Sequence, residues 1–145
     1  MIKKLVLTVS IVLVTLTLAA CAPSTKTKIL SPKKGAAYAA EVDDIVENFL
    51  VGFSEKDYAI ASRDFHEEFR DFWDESAFRQ MYDDVIGKTG AYQSKTLDHV
   101  ENRGWRRVVI YHIAFENNPD VLLEVYINTV FDPSIVGFEF FFDYY

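Results

Sequence analysis

Cysteine is almost missing from this chain of 145 residues: Cys21 is the single one. One thiol excludes an internal disulfide, so stability has to come from packing. It also excludes a metal site built from several thiolates. Basic residues are scarce, 15 Lys and Arg against 22 Asp and Glu. Nucleic-acid binding wants clustered Lys and Arg, so that class of partner is excluded. No nucleophile elbow, phosphate loop or metal-ligand series occurs, and no cofactor or metal is expected. His66-Glu67-Glu68-Phe69 lacks the second histidine of a zinc-protease helix and reads as a solvated loop or helix. The longest apolar run, Leu5–Leu18, stops short of the ~20 residues a spanning helix needs. Aromatic residues, by contrast, are plentiful. Twelve Phe, eight Tyr and two Trp, all beyond Cys21, can supply a core.

Lys3 and Lys4 precede the apolar run, and Leu18-Ala19-Ala20-Cys21 closes it. That order of charge, apolar stretch and small residues marks residues 1–20 as a signal peptide. Its last four positions resemble the lipobox of bacterial lipoproteins. The resemblance implies a diacylglycerol on the Cys21 thiol and an extracytoplasmic protein held by lipid at the cell membrane or outer membrane. An uncleaved anchor or an ordinary secretory signal would still export the chain. Without residues 1–20, 125 residues and 13 basic side chains remain, enough for one domain. Residues 21–37 carry Lys26, Lys28, Lys33 and Lys34, two prolines and no acid, which reads as a flexible, lipidated basic tether. Such a tether lies on anionic headgroups, at ~1 kcal/mol per lysine. Residues 38–145 form the domain; all 22 acids lie there against nine basic residues. Repulsion from an anionic membrane is expected to hold it off.

Val42, Ile45, Val46, Phe49, Leu50 and Phe53 recur at helical spacing with acids opposite. Asp57 suits the cap of a second, shorter helix. A third begins at Asp74 or Ser76, buries Phe78, Met81 or Tyr82, Val85 and Ile86, and ends at Gly87 or Gly90. Between them, Phe65–Asp74 is either a helical turn or an ordered loop. From Ala91 the period becomes two. Trp105–Glu116, Asp120–Phe131 and Ile135–Asp143 read as strands, preceded by a weaker one near Ala91–Glu101. If the chain folds back about Asn118 and again across Asp132–Ile135, the three alternations agree on one apolar face. That face includes Val109, Tyr111, Ile113, Leu123, Val125, Phe131, Phe138 and Phe140, and a slip of one residue would destroy it. The expected architecture is α+β: three helices on one side of a curved four-stranded antiparallel meander.

Three helices and a meander behind a lipobox are similar to exported domains of unknown function with the cystatin-like, nuclear-transport-factor-two-like cone fold. The likeness runs from Val42 to Phe142 and rests on Phe53, Asp57-Tyr58, Phe78–Ile86 and Val136-Gly137-Phe138-Glu139-Phe140. Relatives in such families stand alone behind lipoprotein signals or precede enzyme domains, so the resemblance implies an accessory or ligand-holding role; no catalytic motif is among those positions. The alternative is a small-molecule isomerase or hydratase working in a pocket between helices and sheet. The inward polar residues on the last three strands are Arg107, Tyr111 and Thr129, with Arg107 opposite Thr129; they could line a pocket for an anion or carbonyl. Equally, Arg107 could snorkel outward and Tyr111 serve as a core aromatic. His99 joins the inner face if Asn102–Gly104 is a three-residue turn; with a turn one residue shorter, Val100 takes that place. His112 is expected opposite Glu124, with Asp143 beyond, as a charge pair or a weak metal site. The outer face carries Val108, Ile110, Leu122, Tyr126 and Phe141. It is either a homodimer or other partner surface or is covered by its own Arg and Glu side chains. The expected partners are therefore the bilayer, a second copy, or an unknown protein or small ligand.

Overall fold

The computed structural model describes residues 27–130 and 132–142. Cys21 and the stretch expected to be a signal peptide, Phe131 and Asp143 lie outside the described residues. The architecture is α+β, with an open sheet in the order β1-β2-β3-β4-β5, every neighbouring pair antiparallel. The strands are β1 (Lys28–Ile29), β2 (Tyr92–Arg103), β3 (Arg106–Phe115), β4 (Val121–Asn128) and β5 (Ile135–Phe141). Among the described residues the helices are α1 (Pro32–Glu41), α2 (Asp43–Ser54), α3 (Tyr58–Ala61), α4 (Glu67–Phe72) and α5 (Glu75–Thr89). No helix among the described residues is long and apolar enough to cross a membrane.

Two helices and a strand exceed the expected number, and the first surprise lies in the stretch read as a tether. From Lys28 it is folded. Leu30 donates to the Val100 carbonyl at 2.8 Å, and α1 buries Gly35, Tyr38 and Ala39 against the sheet. These positions at i, i+3 and i+4 form a stripe too small to register as an apolar face. The other addition, α4, occupies Phe65–Asp74. Its entry is held by a parallel bridge between Phe65 and Ile135, with His66 N–H donating to the Ile135 carbonyl at 2.9 Å.

The expected helices form where their signals lie. Val42, Val46, Phe49, Leu50 and Phe53 are all fully buried. Asp57 accepts from the Ile60 N–H and caps α3. Asp74 accepts from Ser76 and Ala77 N–H groups and caps α5, which ends at Gly90.

In the sheet the register is not as expected, and the parity is as expected except at the start of β5, where Ile135, expected on the outer face, lies in the core opposite Ile127. Arg106 faces Asn128 rather than Val130, a displacement of two residues, so Arg107 faces Ile127 instead of Thr129 and His112 faces Leu122 instead of Glu124. Leu122 faces Phe141, and the β4–β5 ladder has an irregularity between Tyr126 and Ile127. An even displacement keeps each side chain on its face. Val109, Tyr111, Ile113, Leu123, Val125 and Ile127 are therefore buried as a single surface beneath the helices.

Candidate functional site

The space between helices and sheet is filled by rings. Phe49 lies 4.5 Å from Phe138, Phe53 stacks on Phe140 at 5.6 Å, and Trp73 meets Phe138 edge-on at 4.9 Å. Such packing places apolar carbon where an interior acid–base pocket would have to be.

Of the four expected pocket residues, Arg107 and Thr129 share one cavity, while Tyr111 and His99 lie elsewhere. Gly104 and Trp105 form a two-residue turn, with Gly104 at φ 70°, shorter than the three-residue alternative. Val100 therefore pairs with Val109 on the inner face, and His99 pairs with Ile110 on the outer one. Arg107 stays inside, its guanidinium 4.3 Å from the Tyr38 ring centroid and its Nε donating to Asn102 Oδ1 at 3.2 Å. With Thr129, Tyr38 and Glu41 it lines a small cavity of about 190 Å³. Thr129 is occupied by a bond from its hydroxyl to the Trp105 carbonyl at 2.7 Å.

Tyr111 belongs to a different and larger cleft, about 580 Å³, between the α1–α2 junction and the β2–β3 surface. Ala36, Ala39, Ala40 and Leu97 form its apolar wall, and Asp43, Asp44 and Lys95 its polar one. Lys95 is nearly buried; its Nζ is 3.2 Å from Asp43 Oδ1 and also pairs with Glu47. Glu47 additionally accepts from the Tyr92 hydroxyl at 2.9 Å. The Tyr111 side chain is 2% exposed, and its hydroxyl has no hydrogen-bond partner among the described residues. Burial pushes the Tyr111 phenol up, and the charges of Asp43 and Glu47 push it further. Burial does the same to Tyr92, reinforced by its bond to Glu47. Both phenols stay protonated; that of Tyr92 donates to Glu47, and that of Tyr111 has no acceptor among the described residues. Sequence reasoning picked out Tyr111 but not Lys95, Asp43 or Glu47. Lys95 lies on the strand whose register was open, and the two acids looked like the solvated face of a helix.

The outer face carries a charged net. Arg103 donates from both terminal nitrogens to Glu124, at 2.8 and 3.0 Å, and from Nε to Glu101 at 2.7 Å. The Tyr126 hydroxyl donates to Glu124 at 2.6 Å. His99 lies between Asp98 at 2.9 Å and Glu101 at 3.1 Å. Burial alone would lower the His99 pKa, but the hydrogen bonds and charges of Glu101 and Asp98 outweigh it and leave it raised. Burial would raise that of Glu124, and the bonds from Arg103 and Tyr126 bring it below the ordinary carboxylate value. Val108 and Ile110 pair with members of this net and are buried. Two of the five residues expected on an interaction face are thus unavailable to a partner. Leu122 and Tyr126 are half-buried and Phe141 is exposed. His112, expected beside Glu124, instead sits 2.6 Å from Asp120 in the β3–β4 connection. No group of three or more potential metal ligands occurs among the described residues.

No family model matches the chain, and neither a curated protein nor a solved structure resembles it significantly.

Proposed function

We propose that this chain is a lipid-anchored, extracytoplasmic binding module of the bacterial cell envelope. It is built on a cystatin-like, nuclear-transport-factor-two-like cone and takes a small polar ligand in the Tyr111 cleft. The observation that carries the reading is Tyr111, a residue of that cleft whose buried hydroxyl has no hydrogen-bond partner among the described residues. An unsatisfied buried hydroxyl costs about 1–3 kcal/mol, and a ligand carbonyl or carboxylate oxygen would remove that cost. Asp44 on the same wall, beyond the Asp43 that pairs with Lys95, favours an ammonium group. A small zwitterion, of amino-acid or dipeptide type, meets both demands.

The aromatic filling of the interior supports binding over catalysis, because isomerase or hydratase chemistry in this kind of fold needs convergent acid and base groups in a deep pocket. Self-association through the outer sheet face has less support, since its central aliphatic residues lie within the charged net.

Calorimetric titration of the purified protein with free amino acids and dipeptides tests the ligand reading. Saturable binding is expected for at least one of them. Tyr111→Phe should weaken it by about tenfold, the worth of one hydrogen bond. Binding unaffected by Tyr111→Phe, or no binding in the whole set, contradicts the assignment of the cleft. Chemical conversion of a bound compound contradicts the non-catalytic reading.

A further inference from the structure

The chain enters the fold at one particular end of the sheet. Lys28 pairs with Asn102 and Ile29 with Glu101, antiparallel. The direction of β1 therefore puts the entry at the end carrying the Gly104–Trp105 turn. Residues 22–27 alone separate Cys21 from Lys28. Seven peptide steps span at most ~25 Å, and the turn itself projects ~10 Å beyond the level of Lys28, three strand residues along. A lipid on Cys21 leaves this end of the domain little room to stand away from the bilayer.

That end is also where apolar side chains are left uncovered. Trp105 is 55% exposed, Val130 59% and Phe72 83%. The Thr129–Trp105 bond ties the β4–β5 connection to the turn. Trp105 and Phe72 line a cavity of about 380 Å³ together with Arg106. The Arg106 guanidinium lies 5.2 Å from the Trp105 ring centroid and 5.3 Å from that of Tyr126. Its buried Nε has no hydrogen-bond partner, and it makes no ion pair, among the described residues. Acids at this end include Glu68 on the cavity wall, Asp132 in the β4–β5 connection, Glu41 beside Thr129 and Glu101, opposite Ile29 and bonded to Arg103.

We infer that the Gly104–Trp105 end of the sheet docks on the bilayer that holds the Cys21 lipid. Trp105, Val130 and Phe72 enter the headgroup layer, and Arg106 engages a lipid phosphate. This rests on the lipid-anchored reading above. An amphipathic indole is suited to the membrane interface, and a guanidinium to bidentate phosphate contact. Weak contacts suffice, because a short tether makes docking intramolecular. The net negative charge of residues 38–145 keeps other surfaces of the domain away from anionic lipid.

Trp73 is buried, so a change in tryptophan emission on membrane contact reports Trp105. The test is the full lipidated protein reconstituted in phosphatidylethanolamine–phosphatidylglycerol vesicles with brominated acyl chains, acylation being followed in parallel. Bromine should quench the Trp105 emission, the loss should be absent from Trp105→Phe, and Arg106→Gln should diminish it. Acylated, vesicle-bound protein with unquenched Trp105 overturns the docking and leaves the anchor standing. Protein that carries no lipid overturns both. An emission shift that follows protein concentration without vesicles assigns this face to a second copy and overturns the docking.

Discussion

Arg103, Glu124 and His99 make the outer face of the sheet respond to pH, and the two titrating members respond in opposite senses. The folded-state pKa of His99 is raised above its ordinary 6.5. Its contribution to stability is therefore fully present below that value and is lost as pH rises through the folded one. The folded-state pKa of Glu124 is lowered below its ordinary 4.5, so its contribution is present above that value and is lost as pH falls through the folded one. Urea midpoints should therefore decline on the alkaline side of 6.5 because of His99 and on the acid side of 4.5 because of Glu124. His99→Asn should flatten the alkaline decline only. A wild-type midpoint that stays constant between about pH 6 and 9, or a decline unchanged in His99→Asn, contradicts this account. Nothing in the residues around His99 decided its face beforehand. The outcome turned on whether Gly104 opens a two-residue turn or closes a three-residue one, and both are compatible with Asn-Arg-Gly.

Among the elements, the meeting of α2 and α3 is the tightest constraint. A Cβ on Gly52 would stand 2.3 Å from the Ala61 nitrogen and 2.7 Å from its Cα, and both are backbone atoms that cannot turn aside. Gly52→Ala should lower stability by about 1–3 kcal/mol through forced separation of the two helices, measured as a drop in the urea midpoint. An unchanged midpoint would mean that α3 is not seated there. Local signals served this part of the chain well: the Asp57 and Asp74 caps and the Gly90 stop lie where the helices begin and end. They served α1 badly. Its contact with the sheet is made by Gly35, Tyr38 and Ala39, and its lysines and proline imitate a linker. The strands show a third case. Alternation determined which residues face inward, except at Ile135 beyond the irregularity, but not which residues pair, since a displacement of two leaves each side chain on its face. The pairing depended on turn length and on an irregularity between Tyr126 and Ile127, neither of which leaves a periodic trace.

At the scale of the whole molecule, folding of residues 28–37 bears on the proposed lipid anchor. A basic tether of sixteen residues past Cys21 would let repulsion hold an acidic domain at a distance. With Lys28, Lys33 and Lys34 built into β1 and α1, only residues 22–27 lie in sequence between Cys21 and β1. Charge then orients the domain more than it separates it. The Tyr111 cleft and the Trp105 end belong to one arrangement under this view, an anchored body that binds a small ligand close to the lipid surface. Metabolic labelling with a clickable fatty acid, comparing wild type with Cys21→Ala, tests that arrangement most directly. The account predicts label on the wild-type protein and none on Cys21→Ala. An unlabelled wild type, or label that persists without Cys21, would contradict it.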